Sequence, residues 1–112
     1  MSDASTRSRL AAILAADVAG YSRLIAQDDR RTVAALDLAR EVFRRHVEAG
    51  QGRVVDMAGD SVLAVFETAT GAVSAALLIQ RDLAAAETEP EDRRLRFRIG
   101  VHLGDVIEKV DG

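Results

Sequence analysis

The apolar residues change their spacing back and forth along this chain, and that switching restricts the possible folds more than any other feature. From Ser22 to Glu48, Val33, Leu36, Ala39, Phe43 and Val47 recur at steps of three and four, with Arg30, Arg31, Arg40, Arg44 and Arg45 between them. Such spacing puts one apolar stripe on an amphipathic helix. Asp28 and Asp29 are placed to cap its main segment, because a side-chain oxygen accepts from the free amides of a first turn. A short helical turn is expected before them, at Ser22 to Ala26. A second helix is read from Thr68 to Ala86, with Ala72, Ala76, Ile79 and Leu83 on one face and Thr68 as N-cap. The charged stretch Glu87 to Arg94, which holds Pro90, ends it.

Between and around the helices the pattern is that of strands. Leu10 to Ala16 is an apolar run closed by Asp17 and Gly20, and its length favours a buried strand. Arg53 to Ala58 and Ser61 to Phe66 flank Gly59-Asp60 and read as a hairpin. Arg96 to Leu103 alternates, with Phe97, Ile99, Val101 and Leu103 on one side, and Gly104 to Gly112 reads as a further short extended piece. The order β-α-β-β-α-β is the split unit of the ferredoxin-like fold, an α+β domain with one antiparallel sheet and two helices on one face. Residues 1 to 9 are polar and rich in Ser and Arg, and are expected to form a disordered tail ahead of a domain over 10 to 112.

Composition narrows the function classes. With 112 residues there is room for one core. The 4% aromatic content suits helices packed on a sheet rather than an aromatic-lined binding platform, and the net charge of −3 argues against a nucleic-acid partner, which needs a dominant basic face. The chain has no cysteine, so disulfides and thiolate metal sites are excluded, and a metal is expected to sit on oxygen. No apolar run approaches the ~20 residues of a membrane span, and no signal peptide opens the chain, so a cytoplasmic location is expected.

In the split topology the first and third strands lie side by side, which brings the end of strand one beside the Gly-Asp turn. Asp17 and Asp60 are then expected at one sheet edge, as a hard-oxygen site for Mg²⁺ or Mn²⁺. Gly20, Tyr21 and Ser22 open the first helix, whose free amides favour an anion. Asp after a strand and Gly-Asp in a hairpin are also ordinary turn residues, so neither is assigned by itself.

Two segments carry more information together. LAAILAADVAGYSRL and GRVVDMAGDSVLAVF resemble, in order and spacing, the two metal-aspartate segments of the class III adenylate and guanylate cyclase catalytic domain, and FRIGVHLGDV resembles the strand that follows them. The likeness runs from about Arg9 to the chain end and matches the N-terminal two-thirds of such a domain. It implies a lyase of cyclic-nucleotide signalling that converts ATP, or less often GTP, to the cyclic 3′,5′-nucleotide and pyrophosphate, as a homodimer. It implies that Asp17 and Asp60, with the backbone at Val18, hold two ions of Mg²⁺ or Mn²⁺. It also implies that Ala19, Gly20, Tyr21 and Ser22 wrap the triphosphate.

Two departures from the family accompany the resemblance. Asp56 stands where adenylate cyclases of this kind usually carry a base-reading lysine, which implies altered or loosened base selection; the one lysine, Lys109, lies elsewhere. The chain also ends before the segment from which a partner supplies an Asn and an Arg, so little activity is expected of these 112 residues alone. The alternative reading is a non-catalytic cyclase-like module for dimerisation or regulation. His102 is read as a structural strand residue and His46 as solvated. Arg40, Arg44 and Arg45 are read as a polar helix face with Glu41 and Glu48 as partners, and Met57 as packing.

Overall fold

A computed structural model describes residues 6 to 109. Strand β1 (Thr6–Val18) leads into α1 (Tyr21–Gln27) and α2 (Asp29–Ala49); the hairpin β2 (Arg53–Ala58) and β3 (Ser61–Phe66) is followed by α3 (Ala69–Ala85), a short 3₁₀ turn (Glu91–Arg93) and β4 (Phe97–Lys109). The sheet is antiparallel throughout, in the order β2-β3-β1-β4. This is the α+β arrangement expected from the sequence.

Alternation along β1 decides which side the helices cover. Ala12, Leu14, Ala16 and Val18 are buried, as are their cross-strand neighbours Val62, Ala64 and Phe66 on β3 and Phe97 on β4. Phe43 and Val47 of α2 and Ala72, Ala75 and Ile79 of α3 close over them. The rings of Phe43 and Phe97 meet with centroids 5.0 Å apart and planes tilted by 56°, an arrangement aromatic pairs favour. The small residues of α3 let it approach both the sheet and α2.

The helix boundaries follow the caps. Asp28 has extended backbone and its carboxylate accepts from the amide of Arg31 at 3.1 Å, which separates α1 from α2. Thr68 caps α3 by accepting from Gly71 at 3.0 Å. One core assignment needs correction: Val33 is 45% exposed, and its neighbour Thr32 is the buried residue. Thr32 donates its hydroxyl to Leu24 O and Asp28 O and accepts from Arg93, so a polar residue sits in the core with its hydrogen bonds made. Arg93 also donates to Leu24 O, Gln27 Oε1 and Asp28 O, pinning the end of α1.

Two expectations at the strand ends do not hold. Thr6 to Arg9, expected in a tail, belong to β1 and pair with Val106 to Lys109; residues 1 to 5 and 110 to 112 lie outside the described ones. Likewise the expected break at Gly104 is absent and β4 is continuous. Gly104 pairs with Ala11, and a side chain there would come within 3.2 Å of Ile13 Cδ1. The glycine gives Ile13 room to lie across the sheet rather than ending the strand. Each of these long strands supplies the other's backbone partners, which overrides their polar composition.

Candidate functional site at the edge of the sheet

The pairing of β1 with β3 sets Ala16 opposite Val62, so the hairpin turn before β3 comes level with the end of β1. The turn has two residues, Gly59 and Asp60, and Gly59 has a φ of 56°, which a side chain would resist. Across the gap the amide of Val18 donates to Asp60 Oδ2 at 3.0 Å. Asp60 is thereby fixed beside the peptide that follows Asp17. Because Val18 faces the helices, Asp17 faces the open side of the sheet.

Asp17 has a partner the sequence did not announce. Arg98 sits opposite it on β4 and grips the carboxylate through both oxygens, with Nε at 2.8 Å and the second nitrogen at 3.0 Å. The hydrogen bonds and then the charge of Asp17 hold the Arg98 guanidinium further above its ordinary range, against a small opposing effect of burial, and Asp60 adds to it. Two carboxylates and one cation therefore share this edge. The signal was present in the alternation of RFRIGVHL, but without the register nothing said that Arg98 meets Asp17.

The expected phosphate seat divides. The amide of Ala19 donates to Arg96 O at 2.9 Å and is not free for an anion. Gly20 precedes α1, and the amides of Tyr21 and Ser22, in the first turn, have no carbonyl behind them to bond. Asp56 lies on β2 beside an irregularity in its pairing with β3, and with Asp17, Ser61, Leu63 and Arg98 lines an open depression on the helix-free side of the sheet. Asp56 and Asp17 thus share one surface. A more enclosed cavity of about 210 Å³ lies between α2, α3 and the loop after α3, but its walls are mostly Ala, Leu, Val and Phe and include neither Asp17 nor Asp60.

Among the described residues no three acidic or imidazole groups gather into a metal cage. What is present is two carboxylates with backbone oxygen beside them. Such a donor set fits small hard cations that keep waters and substrate oxygens in their remaining positions. It fits neither a thiolate nor an imidazole-rich metal. Of the other candidates, His102 is exposed and opposite Ile13. His46 is not solvated: its side chain is 11% exposed and its Nε2 lies 2.6 Å from Asp82 of α3. That contact, with Arg81 and Arg45, holds the Asp82 carboxyl below its ordinary range. Arg44 pairs with Glu41 as expected, but Arg45 turns to Asp82 and Arg40 to Asp37 and the hairpin.

The chain thus folds as an antiparallel α+β sheet domain with acidic residues at a strand end and at an adjoining hairpin turn. The family model of the adenylate and guanylate cyclase catalytic domain matches residues 4–112, and the chain belongs to that family. A curated relative from Rhizobium meliloti (strain 1021), whose name assigns it provisionally to the adenylate cyclases, is 47% identical over 110 residues, which are 96% of this chain and 19% of the relative. The crystal structure of an adenylate/guanylate cyclase/hydrolase from Silicibacter pomeroyi superposes with a TM-score of 0.80 at 38% identity, covering 91% of this chain and 60% of that one. The guanylate cyclase domain from Catenaria anguillulae, solved in complex with GTP, shares the fold with a TM-score of 0.75 at 16% identity, over 88% of this chain and 59% of the other. The chain therefore spans about a fifth of the first relative and about three-fifths of these solved domains. No helix among the described residues is long and apolar enough to cross a membrane.

Proposed function

We propose that this chain is the metal- and triphosphate-binding part of a nucleotidyl cyclase that converts ATP, or GTP, to the cyclic 3′,5′-nucleotide and pyrophosphate. The observation that carries the reading is the bond from Val18 to Asp60, which anchors the turn aspartate beside the strand aspartate. In the reaction the ribose 3′-hydroxyl loses its proton to solvent and its oxygen bonds to the α-phosphorus, the bond from that phosphorus to the bridging oxygen breaks, and pyrophosphate leaves with that electron pair. Asp17, Asp60 and the carbonyl of Val18 would hold two ions of Mg²⁺ or Mn²⁺, which when bound offset the negative charge that resists attack at phosphorus.

The chain's own groups complete the seat. The free amides of Tyr21 and Ser22 face the phosphates at the start of α1, and Gly20 keeps the approach clear; Ala19 contributes by holding this loop to Arg96. Arg98, whose side chain is 68% exposed, is accessible to a phosphate oxygen in place of the Asp17 carboxylate, a partner its fork matches equally well. Asp56, ionised, only accepts hydrogen bonds, so it suits the amino group of adenine or the N–H edge of guanine. A homodimer brings the open sheet faces of two copies together over the nucleotide.

Titration with Mn²⁺ and a non-cyclising ATP analogue tests the reading. Metal-dependent binding that disappears in Asp17→Ala supports it, whereas dimers without nucleotide affinity favour a regulatory module. Competition between ATP and GTP analogues, repeated with Asp56→Lys, reads the base preference; an unchanged ratio would remove Asp56 from base recognition.

A further inference from the structure

We infer that Arg40 of α2 is a positioning residue for Asp60, acting through the carbonyl of the residue just before it. The inference rests on the proposed role of Asp60 as a metal ligand. The turn between β2 and β3 holds Gly59 and Asp60 alone, with positive φ only at Gly59, the pattern of a tight hairpin reversal. Gly59 has open space on its side-chain side: an atom placed there would find no neighbour within 4 Å. Among the described residues two bonds tie the turn to other elements. One is Asp60 to the Val18 amide at 3.0 Å. The other is Arg40, which donates to Gly59 O at 2.6 Å.

Arg40 is built for that bond. Its side chain is only 25% exposed, its other terminal nitrogen lies 3.4 Å from Asp37 one turn earlier on α2, and its Nε is buried with no partner. The guanidinium is thus aimed at the hairpin from a rigid helix rather than spread over solvent. A cation on the Gly59 carbonyl fixes the peptide plane between Gly59 and Asp60, and that plane sets where the Asp60 carboxylate begins. Without it the projecting turn pivots about β2 and β3, and the carboxylate no longer stays over Val18.

The test compares the whole chain with Arg40→Met, which keeps the apolar stem and removes the donor, and Arg40→Lys, which keeps a donor. Amide hydrogen exchange at Val18 reads the Asp60 bond without any metal, and binding of Mn²⁺ alone, followed by electron paramagnetic resonance, reads the site. Arg40→Met is expected to speed Val18 exchange and weaken Mn²⁺ binding about tenfold or more, the usual effect of losing a group that orients a ligand; Arg40→Lys is expected to recover part of both. A folded Arg40→Met with unchanged Val18 exchange overturns the inference. So does an Arg40→Met that fails to fold, since Arg40 would then be a general prop. If Asp60→Asn leaves Mn²⁺ binding untouched, the metal reading fails, while the Val18 exchange still decides what Arg40 does.

Discussion

The two sides of the sheet are made from the same strands and do opposite things. On the helix side Ala12, Leu14, Ala16 and Val18 are almost wholly buried, without a charge among them. On the open side the intervening positions carry Asp17, with Arg98 from the adjacent β4 and Asp56 from β2, one strand further away, at the same depression. Neighbouring residues, one peptide apart, therefore meet a dry core and open solvent. The buried side gives β1 a fixed position, and the open side can then present a carboxylate at a set place without contributing to stability. The same division explains why the Asp17–Arg98 pair, though bidentate, is worth little to folding: it is exposed and screened.

The largest blow to this contrast should come from the buried side. Phe43→Ala removes a ring of α2 packed against Phe97 on the sheet and is expected to cost about 3–5 kcal/mol in urea unfolding, a large share of the stability of a domain this size. An effect under about 1 kcal/mol would mean that the helix layer is looser than it looks. Asp17→Ala should do the reverse, with metal-dependent nucleotide-analogue binding falling at least tenfold while the thermal midpoint stays within a few degrees. A matched loss of both would erase the distinction between the two faces.

Thr32→Val probes the polar group inside the dry layer. It removes the hydroxyl that accepts from Arg93, and a cost of about 1–3 kcal/mol is expected because that buried donor loses a partner. A neutral result would show that Arg93 finds enough in Leu24, Gln27 and Asp28. Acid should act through the surface pairs. His46 first, then Arg81 and Arg45, hold Asp82 below its ordinary value of 3.8. Arg9 above all holds Glu108 below its ordinary value of 4.5. Both groups bind protons more weakly folded than unfolded, so their contribution is intact above about pH 4.5 and is lost as the pH falls through the lowered values. The urea midpoint should fall below that pH, and the double variant Asp82→Asn, Glu108→Gln should flatten the fall. The smallest effect is expected from Arg98→Gln, under about 1 kcal/mol of stability at moderate salt, read by the same unfolding curves.

Much of the frame could be read from spacing alone. The two helices, the hairpin around Gly59-Asp60 and the antiparallel order each rest on a local pattern that nothing elsewhere contradicts. Where reading failed, a distant partner had decided. Thr6 to Arg9 look like tail until β4 supplies their hydrogen bonds, and Gly104 looks like a break until Ile13 fills the space above it. Thr32 and Val33 exchange expected places because Arg93, some sixty residues later, makes a buried hydroxyl tolerable. His46 looks solvated until α3 brings Asp82 against it.

Sequence by itself determined which residues are apolar at which period, where glycine permits a reversal, and which carboxylates stand at strand ends, because these depend on chain stereochemistry and on neighbours a few positions away. Tertiary structure alone decided that Arg98 faces Asp17, that Ala19 gives its amide to Arg96, and that Arg40 reaches the carbonyl of Gly59. Each of these depends on strand register or helix placement to within a single hydrogen bond, and a shift of one residue would turn the side chain to the other face.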